Sequence, residues 1–145
     1  MKVPRWLGVD WGGRRIGLAL SDLEGRQAFG YATLDARAKD PVSEIRRICD
    51  DEYVGSIVLG LPLRSDSGEE SETAKSVREF GRRLEAALRI PVVYEDERFS
   101  SFAAEQDLKA SGWVPGKGSK SLVDMGAARV LLQDYLDHRD PVEGA

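Results

Sequence analysis

The feature that most limits what this chain can become is a pair of short links near its start. Residues 6–11, 15–21 and 26–34 each read as a strand, and only residues 12–14 and 22–25 separate them. Residues 15–21 alternate, with Ile16, Leu18 and Leu20 on one face and small residues between them. The links carry Gly12-Gly13 and Glu24-Gly25, which suit tight turns. Parallel neighbours need a crossover of about a dozen residues or more, so links this short make the three strands an antiparallel meander.

The period then changes. Residues 41–52 repeat apolar side chains at helical spacing (Val42, Ile45, Ile48, Cys49), with Pro41 suited to the first turn and Asp40 to the N-cap. Residues 56–60 are a short apolar run that reads as a buried parallel strand. Residues 70–88 form the longest helical stripe, through Ala74, Val77, Phe80, Leu84, Ala87 and Leu88. The last strand begins with residues 91–95, and helices follow at 100–110 and 122–136, with a loop over 111–120. Strand–helix–strand connections imply parallel pairing and right-handed crossovers. The predicted fold is therefore α/β: a mixed five-stranded sheet, three strands antiparallel and two parallel, with helices on both faces. That is the layout of the ribonuclease H-like fold. The two short links disfavour the rival, a doubly wound parallel sheet.

The 145 residues suit one domain, predicted over 1–138, with 139–145 as a flexible tail. No apolar run approaches the roughly 18 residues of a membrane helix. The first residues lack the pattern of a signal peptide. Cys49 is the only cysteine, so no intrachain disulfide can form, and its amphipathic surroundings point to packing. These features predict a cytoplasmic protein without membrane contact. The lone histidine, His138, falls at the end of the last helix, where a cation suits the dipole. It argues against a zinc site of nitrogen and sulfur ligands. A net charge of −4 counts against a protein that coats nucleic acid, yet not against one that binds it through a metal.

Three carboxylates stand out. Asp10 ends the first strand, where open sheets place their ligand sites, although an Asp before Trp-Gly-Gly can also cap a turn. Glu95-Asp96-Glu97-Arg98 closes the last strand, and three successive acids repel unless a cation sits among them. Alternation puts Glu95 and Glu97 on one face and Asp96 on the other, and only one face can look at Asp10. A charged strand end is the plain alternative. Asp124 shares a helix face with Ala127, Ala128, Leu131 and Tyr135, all within about 60° of it at 100° per residue. It points inward with the core stripe, unless Ser121 and Asp124 form a capping box. Phosphodiester hydrolysis needs an activated water and a stabilised leaving oxygen, and two divalent ions about 4 Å apart provide both. Mg2+ takes hard oxygen ligands, so a few carboxylates suffice and histidine is not required.

Four stretches are familiar as a set: Leu7-Gly8-Val9-Asp10-Trp11-Gly12-Gly13-Arg14-Arg15-Ile16-Gly17-Leu18-Ala19; Val58-Leu59-Gly60-Leu61-Pro62-Leu63; Asp96-Glu97-Arg98-Phe99-Ser100-Ser101; and Val123-Asp124 followed by Ala127-Ala128 and Leu131 to Leu136. In this order the chain resembles the YqgF/RuvX family of bacterial ribonuclease H-like proteins, from about residue 6 to 137. The resemblance implies a nuclease dependent on Mg2+ or Mn2+, associated with processing the 5′ end of pre-16S ribosomal RNA and, through kinship with junction resolvases, with Holliday junctions. It implies Asp10, Glu97 and Asp124 as catalytic metal ligands, with Asp96 as the alternative to Glu97. The partner expected is structured RNA or branched DNA, and a four-way junction implies a homodimer because of its two-fold character. Trp113 and Phe102 are candidates for such an interface.

Arg14, Arg15, Arg98, Lys117 and Lys120 are the expected substrate-binding residues. The two adjacent arginines can hold phosphate bidentately, Arg98 can orient Glu97 or contact the scissile strand, and the lysines lie in a glycine-rich segment suited to clamping substrate. Three departures leave all carboxylates in place: Trp11 for a different apolar residue, Ser100-Ser101 for a threonine-containing pair, and Gly126 inside a helix at a cost of about 1 kcal/mol. Two other readings compete. An actin-like ATPase half shares the ancestral fold, but such proteins enclose a nucleotide between two domains. A domain that binds RNA without cutting it has no use for three anions beside phosphate.

Overall fold

The computed structural model describes residues 4–62, 71–96, 100–110, 112 and 119–139. Its elements are β1 (Arg5–Trp11), β2 (Arg15–Ser21), β3 (Ala28–Asp35), α1 (Pro41–Glu52), β4 (Val54–Leu61), α2 (Glu72–Leu88), β5 (Val92–Asp96), α3 (Ser100–Ala110) and α4 (Ser119–His138). They form one five-stranded sheet in the order β3-β2-β1-β4-β5. β1 pairs antiparallel with β2, and β2 with β3, while β4 runs parallel to both β1 and β5. The meander and the two parallel strands are thus as the link lengths require.

Local chemistry sets most boundaries. Gly13 and Gly25 take φ of 84° and 69°, which the two turns need and a β-carbon would penalise. Asp40 caps α1 by accepting from the Ser43 amide, and Pro41 opens the helix. α2 starts two residues later than its apolar stripe suggests, because Ser71 caps it by accepting from the Ala74 amide. The predicted limits of α4 need a larger correction. The helix begins at Ser119, so Lys120 lies in its first turn and not in a loop. Residues 119–121 carry little intrinsic preference for either state. A tertiary bond from the Thr33 hydroxyl to the Ser121 carbonyl, 2.9 Å long, ties this end to β3.

The sheet separates two cores. On one face Leu7, Val9, Ile16, Leu18, Ile57 and Leu59, all fully buried, meet Ile45 and Ile48 of α1 and Val77, Phe80 and Leu84 of α2. Each such side chain stabilises the fold by about 1.5–3 kcal/mol. On the other face Ala19 and Val58 meet Ala128, Leu132 and Leu136 of α4. This helix approaches until a β-carbon on Gly8 would lie 2.8 Å from Leu132 Cβ and 3.1 Å from the Ala128 carbonyl oxygen. α3 packs outside α4, and Gly126 makes room, since a β-carbon there would stand 2.9 Å from Ala104 Cβ.

Arg139 opens the expected tail and stacks its guanidinium 5.3 Å from the Trp6 ring centroid. Residues 140–145 lie outside the described residues. Among the described residues no helix is long and apolar enough to cross a membrane.

Candidate active site

The carboxyl ends of β1, β4 and β5, the start of β2 and the beginning of α4 meet at one edge of the sheet. Asp10 is the next-to-last residue of β1 and pairs directly with Gly17 of β2. Directly opposed residues of an antiparallel pair share a face, with β-carbons about 5 Å apart. A β-carbon on Gly17 would overlap the carbonyl oxygen of Asp124. So Asp10 projects from the face that α4 covers, beside the turn of α4 that carries Asp124. Gly8, two residues earlier on β1, meets α4 in the same way, which fits the alternation of the strand.

Asp124 faces inward as its helical position predicts, with Ala127, Ala128 and Leu131 on the same stripe buried to within 1%. Its side chain is 24% exposed. A capping role is excluded, because α4 starts ahead of Ser121 and Ser121 is itself helical. Oδ2 of Asp124 accepts from Nε of Arg15 at 2.8 Å. Arg15 lies two residues before Gly17, on the same face of β2. It is therefore a partner of Asp124. Arg14 is exposed in the β1–β2 turn, its amide donating to the Gly12 carbonyl at 3.1 Å.

The strand-end acids separate by face. β5 pairs with β4 through Gly60↔Glu95 and Leu61↔Asp96. Leu61 is part of the core beneath α1 and α2, and Tyr94 packs against it, so Asp96 belongs to that side. Glu95 belongs to the α4 side, where it meets His138 Nε2 at 2.7 Å. This bond, ahead of any other influence, raises the His138 pKa. Asp96 therefore does not share the face of Asp10 at this register. Glu97 and Arg98 lie outside the described residues, as do Lys117 and Trp113 and the side chain of Phe102. Lys120 is exposed on the first turn of α4. Cys49 is buried, and burial pushes its thiol up to about 12, so it is packing and not a nucleophile.

The donor chemistry suits a divalent cation. Asp10 and Asp124 come from a strand and a helix, offer hard oxygens, and have a guanidinium already matched to one of them. Among the described residues no group of three His, Cys, Asp or Glu stands together as a metal set. The third ligand expected from the sequence is Glu97. Two residues of the edge escaped the sequence reading in their roles: Gly17, which admits α4, and Arg15 as the counter-ion of Asp124. The run of small residues between Ile16, Leu18 and Leu20 was the visible signal for the first.

The overall form matches that of Thermus thermophilus RuvC, with a TM-score of 0.54 at 12% identity over 92% of this chain and 95% of that one. A second structure, T. thermophilus RuvC in complex with a Holliday junction substrate, matches with a TM-score of 0.53 and the same coverage. The fold is thus ribonuclease H-like. A protein of Anaeromyxobacter dehalogenans is 44% identical over 138 residues, covering 94% of this chain and 99% of its own length. One of Maridesulfovibrio salexigens is 41% identical over 131 residues, 90% of this chain and 96% of its own. Both carry the name "Putative pre-16S rRNA nuclease". The family model for RuvX, described as Holliday junction resolvase, matches residues 4–138. On that match and those identities, the chain belongs to the RuvX family.

Proposed function

We propose that this chain is a metal-dependent endonuclease that hydrolyses phosphodiester bonds in structured nucleic acid. Precursor 16S ribosomal RNA, cut near its 5′ end, is the leading substrate, and four-way DNA junctions are the second. The observation that carries this reading is the convergence of Asp10 and Asp124 through Gly17, on the edge where β1, β4 and β5 end.

Asp10 and Asp124 would hold Mg2+ or Mn2+ with Glu97 as third ligand. A bound divalent ion supplies positive charge to the reacting phosphate and makes water a better nucleophile. The chain does the rest by placement. Asp10 is fixed by the β1–β2 ladder, and Asp124 by the helix that Gly8 and Gly17 admit. Arg14 and Arg15 flank the acids and offer guanidinium groups to phosphate oxygens, while Lys120 extends the cationic side along α4. Arg98 would orient Glu97, and Lys117 would add to the substrate contact. These residues let an acidic chain grip a polyanion locally.

The test is cleavage of a labelled pre-16S leader RNA and a labelled four-way DNA junction in Mg2+, Mn2+ or EDTA. Wild type is expected to cut at least one of them only with metal. Asp10→Asn is expected to cut about a hundredfold less or worse, the scale of losing one group that stabilises transition-state charge. The preferred substrate decides the biological role. Tight binding of both without cutting, in any metal, would overturn the catalytic reading in favour of a binding domain.

A further inference from the structure

Arg15 donates through Nε to Asp124 Oδ2, and its terminal amino groups make no hydrogen bond among the described residues. The pair is neither sealed nor open: the side chains are 40% exposed for Arg15 and 24% for Asp124. A carboxylate covered over three-quarters of its surface, beside a helix pressed onto the sheet, is stabilised by a cation near it. Asp124 keeps acceptor sites beyond the one that Arg15 uses, so a divalent ion on this carboxylate competes with the guanidinium through charge: two cations on one carboxylate repel. Arg15 and Asp10 rise from neighbouring strands on one face, so a guanidinium leaving Asp124 stays beside the acids. Its fork then matches a phosphate bidentately.

We propose, on the metal-site reading above, that Arg15 is a positioning residue shared between two anions. It neutralises Asp124 in the ion-free protein, yields that carboxylate to the divalent ion, and is then released to the substrate phosphate. The consequence is reciprocal: phosphate binding removes the competitor of the ion, and the ion frees the arginine for phosphate. Loading of metal and of nucleic acid is thereby coupled through one side chain.

Two measurements on the full chain test this. The first is Mn2+ binding without nucleic acid, read from the resonance of free Mn2+, for wild type, Arg15→Gln, Arg15→Lys and Asp124→Asn. Arg15→Gln is expected to bind Mn2+ about fivefold tighter or more, the lower end of ordinary coupling between sites. Arg15→Lys keeps the competing charge and stays near wild type, and Asp124→Asn binds at least about tenfold weaker. An arginine that only braces Asp124 predicts the opposite sign for Arg15→Gln. The second needs no variant: the Arg15 Nε–H signal of the wild-type chain is followed during Mg2+ titration. It is expected to shift and to exchange faster with solvent at the concentrations that fill the site. Weaker or unchanged Mn2+ binding by Arg15→Gln, or an Nε–H signal unmoved at saturating Mg2+, overturns the role of Arg15 and leaves the metal site standing. Unchanged Mn2+ binding by Asp124→Asn overturns the site itself, and the role of Arg15 with it.

Discussion

Beneath α1 and α2, the sheet presents Leu7, Val9, Ile16, Leu18, Ile57 and Leu59, and large side chains from both helices fill the space between. Beneath α4 it presents Gly8, Gly17 and Ala19 beside Val58, and the helix answers with Ala128, Leu132, Leu136 and backbone carbonyl oxygens. The first face is held by volume. The second has a smaller apolar core and adds close contact and polar ties: Arg15 to Asp124, Thr33 to Ser121, Gln133 to the Ala28 amide and the Arg26 carbonyl, and His138 to Glu95. The difference separates stability from chemistry. A bulky, well-filled face tolerates no loss of atoms. A face of small residues tolerates no gain of them, and in return it brings a helix carboxylate to a strand carboxylate.

The comparison predicts opposite responses to opposite mutations. On the bulky face, Leu59→Ala should leave a cavity and cost about 2–5 kcal/mol. Urea melts would show the loss, while metal affinity per folded molecule stays as in wild type. On the other face, Gly17→Ala adds one methyl where the Asp124 carbonyl already stands. Its expected cost is of the same order, about 3 kcal/mol or more, because the clash is with the backbone of α4 and not with a flexible side chain. Here metal binding and cutting should fall far more than stability does. Equal loss of stability and function in both variants would erase the distinction between the faces.

The smallest effect concerns pH. The bond to Glu95 raises the folded-state pKa of His138 above its ordinary value near 6.5. The stabilisation is therefore full below about pH 6.5 and fades as pH rises through the raised folded value. His138 is 61% exposed, so solvent screens the pair and the contribution is about 1 kcal/mol or less. Melting in EDTA across pH 5.5 to 8 should show His138→Gln losing stability relative to wild type at the acid end and converging with it at the alkaline end. A constant gap at every pH would mean that the ring contributes packing and not charge.

Much of the molecule was legible before folding. The link lengths announced the meander, and the change of period announced the crossovers. Asp40 and Pro41 marked the start of α1 to the residue. The helical phase of Asp124 pointed inward, and the start of α4 at Ser119 removed the capping box that was its alternative. The start of α4 was not legible, because Thr33, distant in sequence, anchors it. Nor could spacing pick a face for the acids ending β5. That choice awaited the register of β5 on β4, which puts Asp96 with Leu61 and Glu95 with Gly60.

By itself the sequence determined the order and kind of the elements, since turns, caps and apolar periods act over a few residues at a time. It also determined which side chains carry charge toward a buried surface. The tertiary structure alone decided that Asp10 and the turn carrying Asp124 lie on one face of the sheet and that Arg15 pairs with Asp124. Those contacts join residues about a hundred positions apart, and they exist because Gly17 lets a helix backbone rest on the sheet. No local preference encodes such an approach. It follows from the register of three strands and the absence of two β-carbons, at Gly8 and Gly17.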